Sequence, residues 1–217
     1  RGAASSATVQ ASWLVAGVGM LTSPLVVWVL GLVLLFWALG AYNRLTRLKT
    51  RIGNTFVLLA QQLQARDSVV ERLSAVCLVH DSTHARAHEA LQAAVAQARV
   101  AREAVRAQPH DSEAVLALAA AQRVVAVSVQ RLTALSETNA ALHADENFHQ
   151  LCDDLNTTAG AVSLARQAYN SAVAQYNRGV GQFPALVLAK LFGLQRGAEL
   201  PATEPTLLRR TAPVPLE

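Results

Sequence analysis

Residues 25–42, LVVWVLGLVLLFWALGAY, run for eighteen positions without a charge, and the chain then turns basic at once through Arg44, Arg47, Lys49 and Arg51. At about 1.5 Å per helical residue the run covers roughly 27 Å, close to the hydrocarbon thickness of a bilayer. Between Leu25 and Leu39, six Leu, four Val and one Phe together favour insertion by on the order of 3 to 7 kcal/mol. A core helix of a water-soluble protein keeps a polar face over such a length, and this run has none. A cleaved signal peptide is the other competitor, since Ala38-Leu39-Gly40 offers the small residues of a cleavage site. Its apolar core would be too long, however, and the positive charge lies on the wrong side. The stretch therefore reads as a transmembrane helix.

Working outward, the flanks set the orientation. Only Arg1 precedes the run, against four cations in the ten residues after Tyr42, and cationic segments resist translocation. Residues 1–24 are expected to form a short extracytoplasmic segment. Its apolar part, Ala11–Leu21, ends before Pro24 and would dip into the outer interface. Trp37 and Tyr42 fall where an interfacial aromatic belt is expected.

Residues 43–193 are rich in Ala, Val, Leu, Gln and Arg and nearly free of internal Gly and Pro, a composition that favours helix throughout. Breakers at His80–Thr83, at Gln108-Pro109-His110 and at His143–Glu146 divide the region into helical segments of roughly 42–80, 84–107, 111–140 and 145–180. Leu45, Leu48, Ile52, Phe56, Leu59, Leu63, Val70 and Leu73 form one apolar stripe, interrupted at Arg66. Phe148, Leu151, Leu155, Thr158, Val162, Ala165, Tyr169, Val173 and Tyr176 form another. Asp111 and Ser112 are natural N-caps for the third segment. Short connections make neighbouring helices antiparallel. The predicted fold is all-α: a transmembrane helix, continuous with or followed by an up-and-down bundle of about four long helices. Residues 194–217, with Pro201, Pro205, Pro213 and Pro215, read as a disordered tail that can serve as a linear recognition segment.

Several short patterns carry a resemblance. Tyr42-Asn43-Arg44-Leu45 after the apolar run, Glu146-Asn147-Phe148 opening the last helix, Ala165-Arg166 ahead of Tyr169-Asn170, then Tyr176-Asn177, Phe183-Pro184 and Leu191-Phe192-Gly193 resemble, in order and spacing, the bacterial LemA family. The resemblance covers residues 25–194 and implies one N-terminal span and a long helical bundle in the bacterial inner membrane, of unsettled biochemical role. Departures from the family pattern stand at Glu71-Arg72-Leu73, Gln64-Ala65-Arg66, Ala159 and Ala161.

Two constellations are candidates for chemistry. Cys77, His80, His84 and His88 are spaced three, four and four, and His149 and Cys152 form an i, i+3 pair. Both groups fall at the end of the bundle far from the membrane, where thiolate and imidazole would suit Zn²⁺. The expected metal set is Cys77, His80, His84, His149 and Cys152, weighed against a turn near Asp81–Thr83 that breaks the shared face, and against a pH-responsive His cluster. The Tyr-Asn pairs are the other unusual feature. Tyr42, Asn43, Arg44, Tyr169, Asn170, Tyr176 and Asn177 are read either as packing and hydrogen-bonding groups or as a docking surface for a partner's membrane-proximal helix. The short apolar segment from Phe183 to Leu194 either lies in the headgroup region or pads the base of the bundle.

The net charge of +4 is modest, and four of the cations are explained by orientation, so no nucleic-acid partner is expected. There is no Gly-rich phosphate loop and no activated nucleophile arrangement. Adjacent Asp153 and Asp154 point about 100° apart on a helix and cannot act as a dyad. The expectation is a non-enzymatic, cofactor-free scaffold or adaptor with the lipid bilayer, other membrane proteins and copies of itself as partners. A metal- or pH-sensing protein is the alternative.

Overall fold

The charge boundary at Arg44 does not interrupt the first helix. In the computed structural model, which describes residues 24–80, 85–136, 139–183, 185–191, 193 and 195–202, helix α1 runs unbroken from Pro24 to His80, 57 residues. Proline is well placed at a first helical position, where its missing N–H is not needed, and residues 25–80 contain no other proline. At about 1.5 Å per residue α1 is a rod of roughly 86 Å. Apolar side chains of its first part are exposed all round, Trp28 by 78%. An 18-residue window there is apolar enough to cross a bilayer, with mean hydropathy 1.9 and none of it buried.

From Leu45 onward the same helix buries one stripe. Leu45, Ile52, Phe56, Leu59, Leu63, Val70 and Leu73 are all core residues, each contributing about 1.5–3 kcal/mol by leaving water. Four more helices complete the bundle: α2 (Ala85–Ala107), α3 (Ser112–Ser136), the single turn α4 (Ala140–His143) and α5 (Glu146–Gly181). α1 packs most extensively on α5, and α2 on α3, with a smaller α1–α2 contact joining the two pairs. The pairing is antiparallel. His80 meets Asp145 at one end of the α1–α5 pair, while Gly179 lies against Leu48 and Leu45 toward the other.

The expected boundaries need one revision. The third helix stops at Ser136 rather than near 140, and the α4 turn starts afresh because the Asn139 side chain accepts from the Ala141 and Leu142 N–H groups. Asp111 caps α3 as expected, accepting from Glu113 N at 3.0 Å. α3 is also long and apolar enough to cross a membrane, but 39% of that stretch is buried. Val125 and Val129 face the core whereas Val124 and Val127 face out, so α3 is a core helix of the bundle. The four valines do not form one exposed face.

The core has two clusters. One surrounds Ile52, Phe56, Tyr169 and Tyr176 toward the anchor end, with the Phe56 and Tyr169 rings edge to face at 5.8 Å. The other surrounds Leu73, Cys77, Leu91, Leu142 and Phe148 at the distal end. Between them sits a buried polar layer. Asp67 accepts from Arg102 at 2.6 Å and from Arg66 at 3.3 Å, and Arg66 also donates to Gln122. The break in the α1 stripe at Arg66 is thus filled by a charge with its own buried partner. Asp67 and Arg102 also line a polar cleft of about 370 Å³ between α1 and α2, together with Gln64, Ser68, Glu71 and Arg99.

At the anchor end the chain turns back. Phe183 reaches the level of Trp37, ring centroids 5.3 Å apart, and helix α6 (Ala185–Leu191) follows. Ala185 and Ala189 are buried against α1 and α5, while Leu186 and Val187 face out. The segment therefore pads the base with one side and presents apolar groups beside the exposed run with the other. The expected disordered tail begins too early at 194. Residues 195–202 lie against the bundle, with Leu200 only 3% exposed. The N-terminal segment 1–23 and the tail from 203 onward lie outside the described residues.

Candidate functional site

The docked C-terminal segment owes its place to the Tyr-Asn pairs of α5. Asn170 and Asn177 are seven residues apart, two helical turns, and so project from one face about 10.5 Å apart. Asn177 Nδ2 donates to Gly197 O at 2.9 Å while Gly197 N donates to Asn177 Oδ1 at 2.9 Å. Asn170 repeats the pattern on Leu200, at 2.9 Å and 2.8 Å. An amide that engages both the N–H and the C=O of one residue needs those groups on the same side, which is a property of extended backbone. Gly197 and Leu200 are three apart, the repeat of a polyproline II path, where three residues advance about 9.3 Å. The helix spacing and the segment spacing therefore match closely, and the segment runs antiparallel to α5.

Each tyrosine adds a bond. Tyr176 OH donates to Gln195 O at 3.2 Å, and Tyr169 OH donates to Pro109 O at 3.1 Å, fixing the α2–α3 turn that forms the other wall. Both rings are buried, and burial pushes both phenols up from their ordinary value, so they stay protonated and able to donate. Ser112, expected as a cap, instead donates to Arg196 O at 3.1 Å. A Cβ on Gly197 would come within 3.4 Å of Val173 Cγ1, so the floor of the groove favours glycine there. Pro201 restricts Leu200 to extended conformations, which suits the Asn170 clamp. Gly193, at φ 63°, takes the left-handed turn between α6 and the segment. His110, on the same wall, is pushed down from its ordinary value by burial and by the nearby Lys49 cation.

This arrangement assigns four of the expected interaction residues. Tyr169, Asn170, Tyr176 and Asn177 face inward onto the chain's own C-terminal segment and the α2–α3 turn, not onto a partner's membrane-proximal helix. Tyr42, Asn43 and Arg44 are exposed on α1 and do not share this groove. Sequence reasoning missed Gln195–Ala202. The Leu200-Pro201 pair and the seven-residue spacing of the two Asn were the available signals.

The expected metal set is not brought together. Among the described residues, no three His, Cys, Asp or Glu side chains are placed to hold an ion. Cys77 and Cys152 are buried in the distal core as free thiols. Burial, with Cys152 close by, pushes Cys77 up to about 11, and burial with Asp153 does the same for Cys152. His80 pairs with Asp145 at 2.9 Å, and His149 packs its ring against Phe148. His88 is buried and bonded to Ser74 at 2.9 Å. His84 lies outside the described residues. The two cysteines turn inward because they continue the apolar stripes of α1 and α5, and the helix ends carry the imidazoles elsewhere.

Fold and site together define a helical bundle built on one long helix whose leading part stands clear of the core, with a backbone-clasping groove near its base. The LemA family profile matches residues 57–213, and the chain belongs to the LemA family. The matched span includes α2 to α6 and the clasped segment. No curated protein matches the chain.

Proposed function

We propose that this LemA family protein is a non-enzymatic, membrane-anchored scaffold, with its bundle on the cytoplasmic face of the bacterial inner membrane, where it presents helix faces to other membrane proteins and to copies of itself. The observation that carries the reading is α1, one helix whose first eighteen or so residues expose apolar groups on every side and whose remainder forms the bundle core. Such an element couples an anchor to a binding body without a joint. The apolar base formed by Trp37, Phe183, Leu186 and Val187 supports seating against lipid, and the cations from Arg44 to Arg51 support the inward orientation.

Crosslinking in native membranes tests the scaffold role. Higher-mass adducts are expected, and recovery of monomer alone across crosslinkers would refute it. Protease added outside intact cells should leave the region beyond residue 50 uncut. A second reading, proton sensing at the distal tip, is favoured by the His80–Asp145 contact at 2.9 Å. It requires that His80→Gln abolish any pH dependence of partner capture.

A further inference from the structure

The groove on α5 reads backbone, and backbone is common to every polypeptide. The four hydrogen bonds from Asn170 and Asn177 go only to main-chain N–H and C=O groups, as do those from Tyr176 and Ser112. Only two side-chain positions of the occupant are filtered: Gly197, where a Cβ would crowd Val173, and Leu200, which is buried in the anchor-end core cluster. Arg196 and Glu199 point outward and exposed. Pro201 adds a conformational filter by holding the preceding residue extended.

We propose that this groove is a peptide-binding site for an extended Gly-x-x-Leu-Pro segment of a partner protein, and that residues 195–202 occupy it in cis as a built-in competitor. The inference deepens the scaffold reading by naming the chemistry of the partner segment. The short tether through Gly193 holds the resident segment at an effective concentration in the millimolar range. A free peptide competes poorly until the resident segment is unseated. A membrane partner, confined to the same surface, gains from the same concentration effect.

The test uses full-length protein in detergent and a fluorescent peptide with the sequence of residues 195–202, followed by anisotropy. The double variant Gly197→Val/Leu200→Asp alters the occupant and leaves the groove intact. It should bind the peptide at least about tenfold more tightly than the unaltered chain, because the internal competitor is gone. A peptide in which the glycine is replaced by valine should lose at least about tenfold in affinity for that variant, a comparison that does not depend on how any protein variant folds. Adding Asn170→Asp/Asn177→Asp, which keeps shape but removes both amide donors, should abolish binding while circular dichroism remains helical. Absence of saturable binding to the unseated but folded variant overturns the proposal, as does equal binding of the glycine and valine peptides. Crosslinking of the unaltered protein in membranes reports on the scaffold reading separately.

Discussion

Asp67→Ala should be among the most damaging single substitutions in the bundle. The Asp67 carboxylate is 2% exposed and is the anion for two buried guanidiniums, Arg102 at 2.6 Å and Arg66 at 3.3 Å. Its removal leaves two positive charges in the layer between the core clusters, with Gln122 as the remaining neutral acceptor on Arg66. Breaking a buried pair by deleting one partner costs about 3–5 kcal/mol. For a domain of this size that corresponds to a melting point lower by about 6–20 °C. Replacing the whole layer, with Arg66→Met, Asp67→Leu, Arg102→Met and Gln122→Leu, should recover most of the loss, because buried ion networks add little net stability over well-packed apolar groups. Thermal melts followed by circular dichroism in one detergent measure both. An Asp67→Ala protein melting within about 2 °C of the parent, or a fourfold variant less stable than Asp67→Ala, would refute the reasoning.

Three further outcomes are expected. Gly160→Ala, where an added Cβ meets nothing within 4 Å in the middle of α5, should stabilise by about 0.5–1 kcal/mol. Gly179→Val, whose Cβ starts 3.0 Å from Leu48 Cδ1, should destabilise by about 1–3 kcal/mol, and paired urea titrations give both signs. Asp145 is held below its ordinary 3.8 by the Asn147 N–H and then by His80. Its folded value being the lower one, the stability it contributes is present above that range and is lost as pH falls through it, so Asp145→Asn should flatten the acid limb of a stability-versus-pH curve. Thiols pushed from 9.0 to about 11 carry about a hundredfold less thiolate at pH 8. Cys77 and Cys152 should therefore react with iodoacetamide at least that much more slowly in the native protein than in urea.

Much of the fold was legible because it rests on period. The stripe from Leu45 to Leu73 and the one from Phe148 to Tyr176 are buried nearly residue for residue. Two caps, Asp111 and Asp145, mark helix starts with carboxylates that accept first-turn N–H groups. The site was less legible, since periodicity says which face turns inward but not what main chain will meet it. Asn170 and Asn177 stood out as pairs with tyrosine, yet their partners are main-chain groups of Gly197 and Leu200, which no side-chain pattern advertises. The prolines beyond 200 suggested a tail without structure, whereas Pro201 instead holds Leu200 in the shape the clamp requires. Arg66 looked like a flaw in a stripe because Asp67, Arg102 and Gln122 reach it from three helices, a convergence visible only in space. The histidine and cysteine spacing suggested ligation, but the same three- and four-residue steps also continue an apolar stripe, and packing took the two cysteines.

The unbroken rod of α1 has a mechanical corollary for a body seated in lipid as proposed. From Arg44 to His80 it extends about 54 Å above its anchor, and no proline interrupts it. Transmembrane helices adjust their tilt to bilayer thickness, so a change of about 10° at the base would sweep the far tip sideways by about 9 Å. A membrane that thins or thickens would thereby move the His80–Asp145 end by nearly the width of one helix, as a needle on a dial enlarges a small rotation at its pivot.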